Sequence, residues 1–143
     1  MYVLMLHSIQ PQVYTMPERA LISKELAVLL GVLAHPHRIR IIEELRSGEL
    51  DVNTLQAELN VSHSRVSQHL SLLKAHRLVV ERREGRHVYY HLQQPDLAAW
   101  LLQGLQFIAA DLAHTAEVRS ALEKARERWS QPQEAALSTQ SGT

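Results

Sequence analysis

Leu59–Val79 reads LNVSHSRVSQHLSLLKAHRLV, and the reading of this stretch decides the fold. Leu59 and Val61 are apolar residues at a turn, and Ser62 is placed to cap the helix that follows. Within that helix Val66, Leu70 and Leu73 recur at spacings of four and three, which makes one apolar stripe. The other side carries His63, Ser64, Arg65, Ser67, Gln68 and His69, short polar groups, imidazoles and one long cation. A helix that buries one stripe and presents hydrogen-bonding groups from its first two turns suits insertion into the major groove of DNA.

Working outward, Leu78–Arg82 and His87–Leu92 are strand-like, and the RREGR between them predicts a hairpin tip with Gly85 at its tightest point. Upstream, Asp51 caps a short helix over Val52–Glu58, anchored by Leu55 and Leu59. Pro36 opens an earlier helix, a favoured place for proline; Ile39, Ile41, Ile42 and Leu45 point inward from it, and Gly48 ends it. The expected fold is therefore mainly α with a small β-wing, a winged helix-turn-helix in the order α-α-α-α-β-β-α-α.

Two flanking helices carry more apolar surface than this body needs. Glu18–Ala34 has Leu21, Leu26, Leu29, Leu30 and Leu33 on a broad face. A long helix opened by Pro95 runs through Leu97, Trp100, Leu101, Leu105, Ile108 and Leu112 to about Ala113. A more charged helix, Ala116–Trp129, follows. Residues 1–17, interrupted by Pro11 and Pro17, are expected to form an arm. Residues 18–129 form the domain, and from Ser130 the Gln-, Ser- and Thr-rich residues 130–143 form a tail.

The 143 residues carry 15 Lys and Arg against 15 Asp and Glu, so the formal charge is zero. The distribution is uneven. Arg65, Lys74, Arg77, Arg82, Arg83 and Arg86 face only Glu81 and Glu84 within residues 61–91. Such a local excess can neutralise phosphates although the whole molecule is neutral. Cysteine is absent, which removes disulfides and thiolate metal sites. No run of eighteen apolar residues suggests a membrane span, and MYVLML lacks the basic lead of a signal peptide.

In LAHPHRIRIIEEL (Leu33–Leu45) and LNVSHSRVSQHLSLLKAHRLVVERREGRHVYYHL (Leu59–Leu92) the sequence resembles the ArsR/SmtB family of bacterial winged-helix repressors, over roughly residues 20–113. The resemblance implies a cytoplasmic homodimer, held by the first and fifth long helices, that binds a palindromic operator in double-stranded DNA and is released by an inducer. It assigns DNA contact to Ser62, His63, Ser64, Arg65, Ser67, Gln68, His69, Arg83 and Arg86. Gln68 is the best candidate for reading adenine, and His69 is equally placed to hold its helix against the body. The dimer interface would take Leu26, Leu30, Trp100, Leu101, Leu105 and Ile108.

The inducer is not named by the sequence, and no cofactor is required. Zinc or nickel is the alternative, at Asp111, His114 and Glu117, spaced i, i+3 and i+6; the family's usual zinc positions fall near Gln94, Asp96, Phe107 and Ala110, where only Asp96 is able to ligate, so that site is expected to be lost. His35 and His37, flanking Pro36, are a weaker possibility for metal. The alternative outside this class is a protein-interaction module whose basic face is incidental. No enzyme motif is visible: there is no glycine-rich phosphate loop or nucleophile elbow, and His63 and His69 with the nearby serines lack an orienting acid.

Overall fold

Side-chain caps start the two helices at the centre of this protein. In the computed structural model, which describes residues 16–112 and 115–130, Asp51 Oδ1 accepts the Thr54 N–H at 2.8 Å and Ser62 Oγ accepts the Arg65 N–H at 3.3 Å. These caps open α3 (Val52–Leu59) and α4 (His63–Ala75), in chain order after α1 (Met16–Leu33), α2 (Pro36–Leu45) and a short strand β1 (Leu50–Asp51). Asn60 closes α3 at φ 53°, a left-handed position that asparagine tolerates, and so makes the turn into α4.

After α4 the chain forms β2 (Val79–Glu84) and β3 (His87–Leu92), then α5 (Asp96–Gln103), α6 (Leu105–Leu112) and α7 (Ala116–Ser130). The sheet is antiparallel in the order β1-β3-β2, with Leu50 and Asp51 opposite Tyr90 and Tyr89. The core lies between the helices and the sheet. Ile41 and Ile42 of α2, Leu55 of α3, and Val66, Leu70 and Leu73 of α4 are fully buried in it. Truncating Leu70 to alanine at such a site costs about 2–5 kcal/mol.

The α4 exit is a Schellman motif. Leu78 N–H donates to Leu73 O at 2.9 Å and Arg77 N–H to Lys74 O at 2.9 Å, with Arg77 itself at φ 58°.

Several expectations need correction. The sheet has a third strand, β1, too short for alternation to reveal and defined only by its pairing with β3. The first wing strand runs further toward the tip than expected, so Arg83 and Glu84 also lie in β2 and the turn is only Gly85–Arg86, with Gly85 at φ 60°, while β3 has the expected bounds. The helix expected to run unbroken to about Ala113 is interrupted at Gly104, whose N–H bonds both Trp100 O and Leu101 O. Glycine is the weakest ordinary helix former, and a helix irregularity settles there. Ile39 is 42% exposed, since it falls on the outer side of α2.

The expected arm and tail lie almost wholly outside the described residues, as do His114 and the Asp111 side chain. Among the described residues no helix is long and apolar enough to cross a membrane.

Candidate nucleic-acid interface

α4 is fixed by its buried stripe, which leaves Ser62, His63, Ser64, Arg65 and Gln68 exposed on the opposite side and Ser67 half-exposed. His63 Nδ1 and Ser67 Oγ lie 3.5 Å apart, one helical turn from each other. Both line a cleft of about 200 Å³ whose far wall is the wing, with Arg83, Arg86 and His87. The structure therefore leaves Ser62, His63, Ser64, Arg65 and Gln68 exposed on α4, and sets His63 and Ser67 across the cleft from Arg83 and Arg86.

Asn53 and Asp51 complete the cleft from the start of α3. Asn53 and His87 were not expected there. The signal for Asn53 was a polar first turn on the helix preceding the reading helix, since that helix crosses the DNA backbone in helix-turn-helix proteins. Asp51 keeps its carboxylate on the Thr54 side chain and backbone N–H, which hold its pKa below the usual value.

The positive charge is thinner than residue counting suggests. Lys74 Nζ pairs with Glu81 Oε2 at 2.7 Å, and Arg83 Nε with Glu81 Oε1 at 2.8 Å. Hydrogen bonds from Lys74, Arg83 and the Tyr90 hydroxyl outweigh desolvation and draw the Glu81 pKa down to about 2. Arg82 bonds Glu84 at 2.6 Å and Glu49, an acid that lies outside the basic stretch in sequence. Arg65, Arg77 and Arg86 form no ion pair among the described residues, and Arg65 and Arg86 stand on the face that carries the reading helix and the wing. In α2, Arg40 pairs with Glu44 at 3.1 Å and Arg38 Nε donates to Val32 O.

His69 takes the second of its two expected placements. It turns from the exposed face toward the start of α2, where its ring centroid lies 4.5 Å from that of His35 and 5.5 Å from that of His37. Three residues after Val66 and four before Leu73, it lies on the flank of the buried stripe, where it meets the body.

The apolar surplus on the flanking helices persists in the folded chain. Leu26 and Leu30 of α1, Trp100 of α5 and Ile108 of α6 are all 44–54% exposed. Leu30, Trp100, Leu101 and Phe107 line one groove, so the two faces are continuous. Leu101 also packs on the core, and Leu105 is half-buried. Of the expected metal set, Glu117 is exposed in the first turn of α7; Asp111 and His114 cannot be placed beside it, because their side chains fall outside the described residues.

Comparison with known proteins gives a consistent set of likenesses. The profile of the family described as "Bacterial regulatory protein, arsR family" matches residues 35–80, the span from the start of α2 to β2. The biofilm growth-associated repressor of Agrobacterium fabrum is 38% identical over 84 residues, 59% of this chain and 71% of that protein. A transcriptional repressor SmtB homolog of Synechocystis is 39% identical over 59% of this chain and 61% of its own length. A homodimeric winged helix-turn-helix DNA-binding domain from Mycobacterium bovis, solved by NMR, superposes with a TM-score of 0.54 at 29% identity, covering 65% of this chain and 85% of that one.

Proposed function

The chain belongs to the ArsR/SmtB family of winged helix-turn-helix transcriptional regulators, and from that premise we propose that it is a homodimeric repressor acting at a palindromic operator. One observation supports the residue assignment: His63 and Ser67 of α4 and the wing arginines Arg83 and Arg86 border a single cleft, beside the exposed Ser62, Ser64, Arg65 and Gln68 of the same helix. In the proposed complex α4 enters the major groove. Gln68 and Arg65 meet base edges or the adjoining phosphates, Ser62 and Ser64 meet the backbone at the helix start, and Arg86 reaches the backbone from the wing tip.

The dimer reading is supported by the continuous apolar face of Leu26, Leu30, Trp100 and Ile108, which a second copy would cover. Two reading helices related by a two-fold axis would then contact half-sites about one helical turn apart, about 34–36 Å. Repression follows from occupancy, because a bound dimer blocks the promoter it covers.

Fluorescence anisotropy with the duplex upstream of the protein's own gene tests the proposal, against a scrambled duplex and over a range of salt. Preference for the upstream duplex, with affinity falling steeply as salt rises, is the expected result. Equal and weak binding to several upstream fragments and to scrambled DNA would remove the DNA reading and favour a protein-interaction module.

A further inference from the structure

Behind the reading face, His35, His37 and His69 meet where α4 crosses the start of α2. One nitrogen from each ring lies within 4.8 Å of the other two, and among the described residues this is the one cluster of three or more groups able to hold a metal ion. The rings are not stacked flat. The His35 and His37 planes are inclined at 55°, His35 and His69 at 44°, and His37 and His69 at 75°. Rings splayed in this way can point lone pairs at a shared centre. His37 Nδ1 is buried with no hydrogen-bond partner, so its desolvation is not offset by any bond.

We propose that His35, His37 and His69 form a divalent transition-metal site that ties the reading helix to the first turn of α2. The donor chemistry selects the class of ion. Three imidazoles without a carboxylate suit zinc, nickel or copper and not magnesium or calcium. Desolvation, then the nearby Arg38 and neighbouring imidazoles, lower the pKa of His35, and desolvation, then His35 and Arg38, lower that of His69. Zinc–nitrogen bonds of about 2.0–2.1 Å in tetrahedral geometry bring ligand nitrogens to roughly 3.3 Å from one another. The three rings must close in by torsions of their side chains, and a solvent molecule would fill the fourth position.

Binding has a structural consequence. His35 Nδ1 accepts the His37 N–H at 3.1 Å and so caps α2. If His35 ligates through Nδ1, that lone pair goes to the metal. If it ligates through Nε2, the proton moves to Nδ1, which then faces the His37 N–H as a second donor. Either way the metal replaces the cap, and His69 carries the change to α4 between Gln68 and Leu70. Metal occupancy and DNA affinity are thereby linked; this half of the proposal rests on α4 being the DNA-reading helix.

The test uses the full chain freed of metal by chelator. Zinc is titrated while the histidine ring nitrogens are followed by NMR, with equilibrium dialysis giving the affinity. The rings of His35, His37 and His69 should shift together at one zinc per chain. His37→Ala should lose affinity by about 10–100-fold or more, since even outer-shell partners of a metal cost that much, whereas His76→Ala should not. No saturable shift at the three rings, a shift confined to other histidines, or the same shifts with inorganic phosphate in place of zinc would overturn the site. The ring signals of the unaltered chain decide this even if a variant folds poorly.

Duplex binding is then measured with and without zinc. A zinc-dependent change within about 5- to 150-fold, the usual range of coupling between sites, present in the parent and absent in His37→Ala, supports the link. Zinc bound at these rings with duplex affinity unchanged overturns it. Failure of the metal-free chain to select any duplex would instead count against the DNA reading and leave the metal site standing.

Discussion

Arg82 and Glu49, 33 residues apart in sequence, are joined by hydrogen bonds of 3.0 Å from the guanidinium Nε to each carboxylate oxygen. Arg82 also bonds Glu84 and lies over the Tyr89 ring, 4.7 Å from its centroid. Its charge is committed to holding the wing to the loop before β1. Arg86, four residues on and without an ion pair among the described residues, is free to meet phosphate.

The two arginines should therefore separate in a salt titration. For every phosphate that a variant no longer neutralises, the slope of log affinity against log salt becomes shallower by about 0.9. Arg86→Ala should reduce it by about that amount per subunit, whereas Arg82→Ala should leave the slope near that of the parent and mainly lower the melting temperature. Anisotropy at several salt concentrations checks both.

Gln68 and Arg65 should differ in kind. Gln68→Ala should narrow the gap between operator and scrambled duplex by about 1–3 kcal/mol, the discrimination expected of one bidentate base pairing. Affinity for scrambled duplex should hardly move, and competition binding with point-substituted operators would locate the base it reads. Arg65→Ala, which removes a full charge, should weaken binding to both duplexes.

Glu81 makes stability pH-dependent. Its pKa falls from an ordinary 4.5 to about 2 in the folded chain because Lys74, Arg83 and Tyr90 all bond it. The folded state holds its carboxylate more strongly than the unfolded chain does. The resulting stability is therefore complete above about pH 4.5 and is lost as pH falls from there toward 2. Thermal melts across that window should show a fall that Glu81→Gln flattens.

Arg77 occupies a left-handed backbone position that glycine adopts without strain. For other residues that conformation costs roughly 1–2 kcal/mol, partly offset by the greater freedom of glycine in the unfolded chain. Arg77→Gly should raise stability by about 0.5–1 kcal/mol in urea titration, with the slope against denaturant unchanged.

A charge on the apolar face should separate the subunits. Leu30→Glu places in each subunit a carboxylate that a dimer would bury unpaired, at a cost of roughly 3–5 kcal/mol each. Sedimentation should report a monomer where the parent is a dimer. A parent that already sediments as a monomer would count against this interface.

Local signals carried most of the architecture. Asp51 and Ser62 sit at the starts of their helices as the sequence indicates, and the stripe of Val66, Leu70 and Leu73 is buried as its spacing requires. What escaped depends on residues distant in sequence. β1 exists only through its pairing with β3, and Glu49 neutralises an arginine that charge counting left free. His69 follows the same rule: its spacing allowed it to face either way, and the imidazoles of His35 and His37 lie on the side it takes.

Asp51 is both a ladder residue opposite Tyr89 and the cap of α3. The root of the wing and the start of α3 thus share one residue, so displacing it would disturb both at once. The Gly85–Arg86 turn, at the other end of the hairpin, has no such double duty. Lengthening the turn would alter the reach of the wing without touching Asp51, whereas an insertion between Asp51 and Val52 would part the strand from the helix it caps.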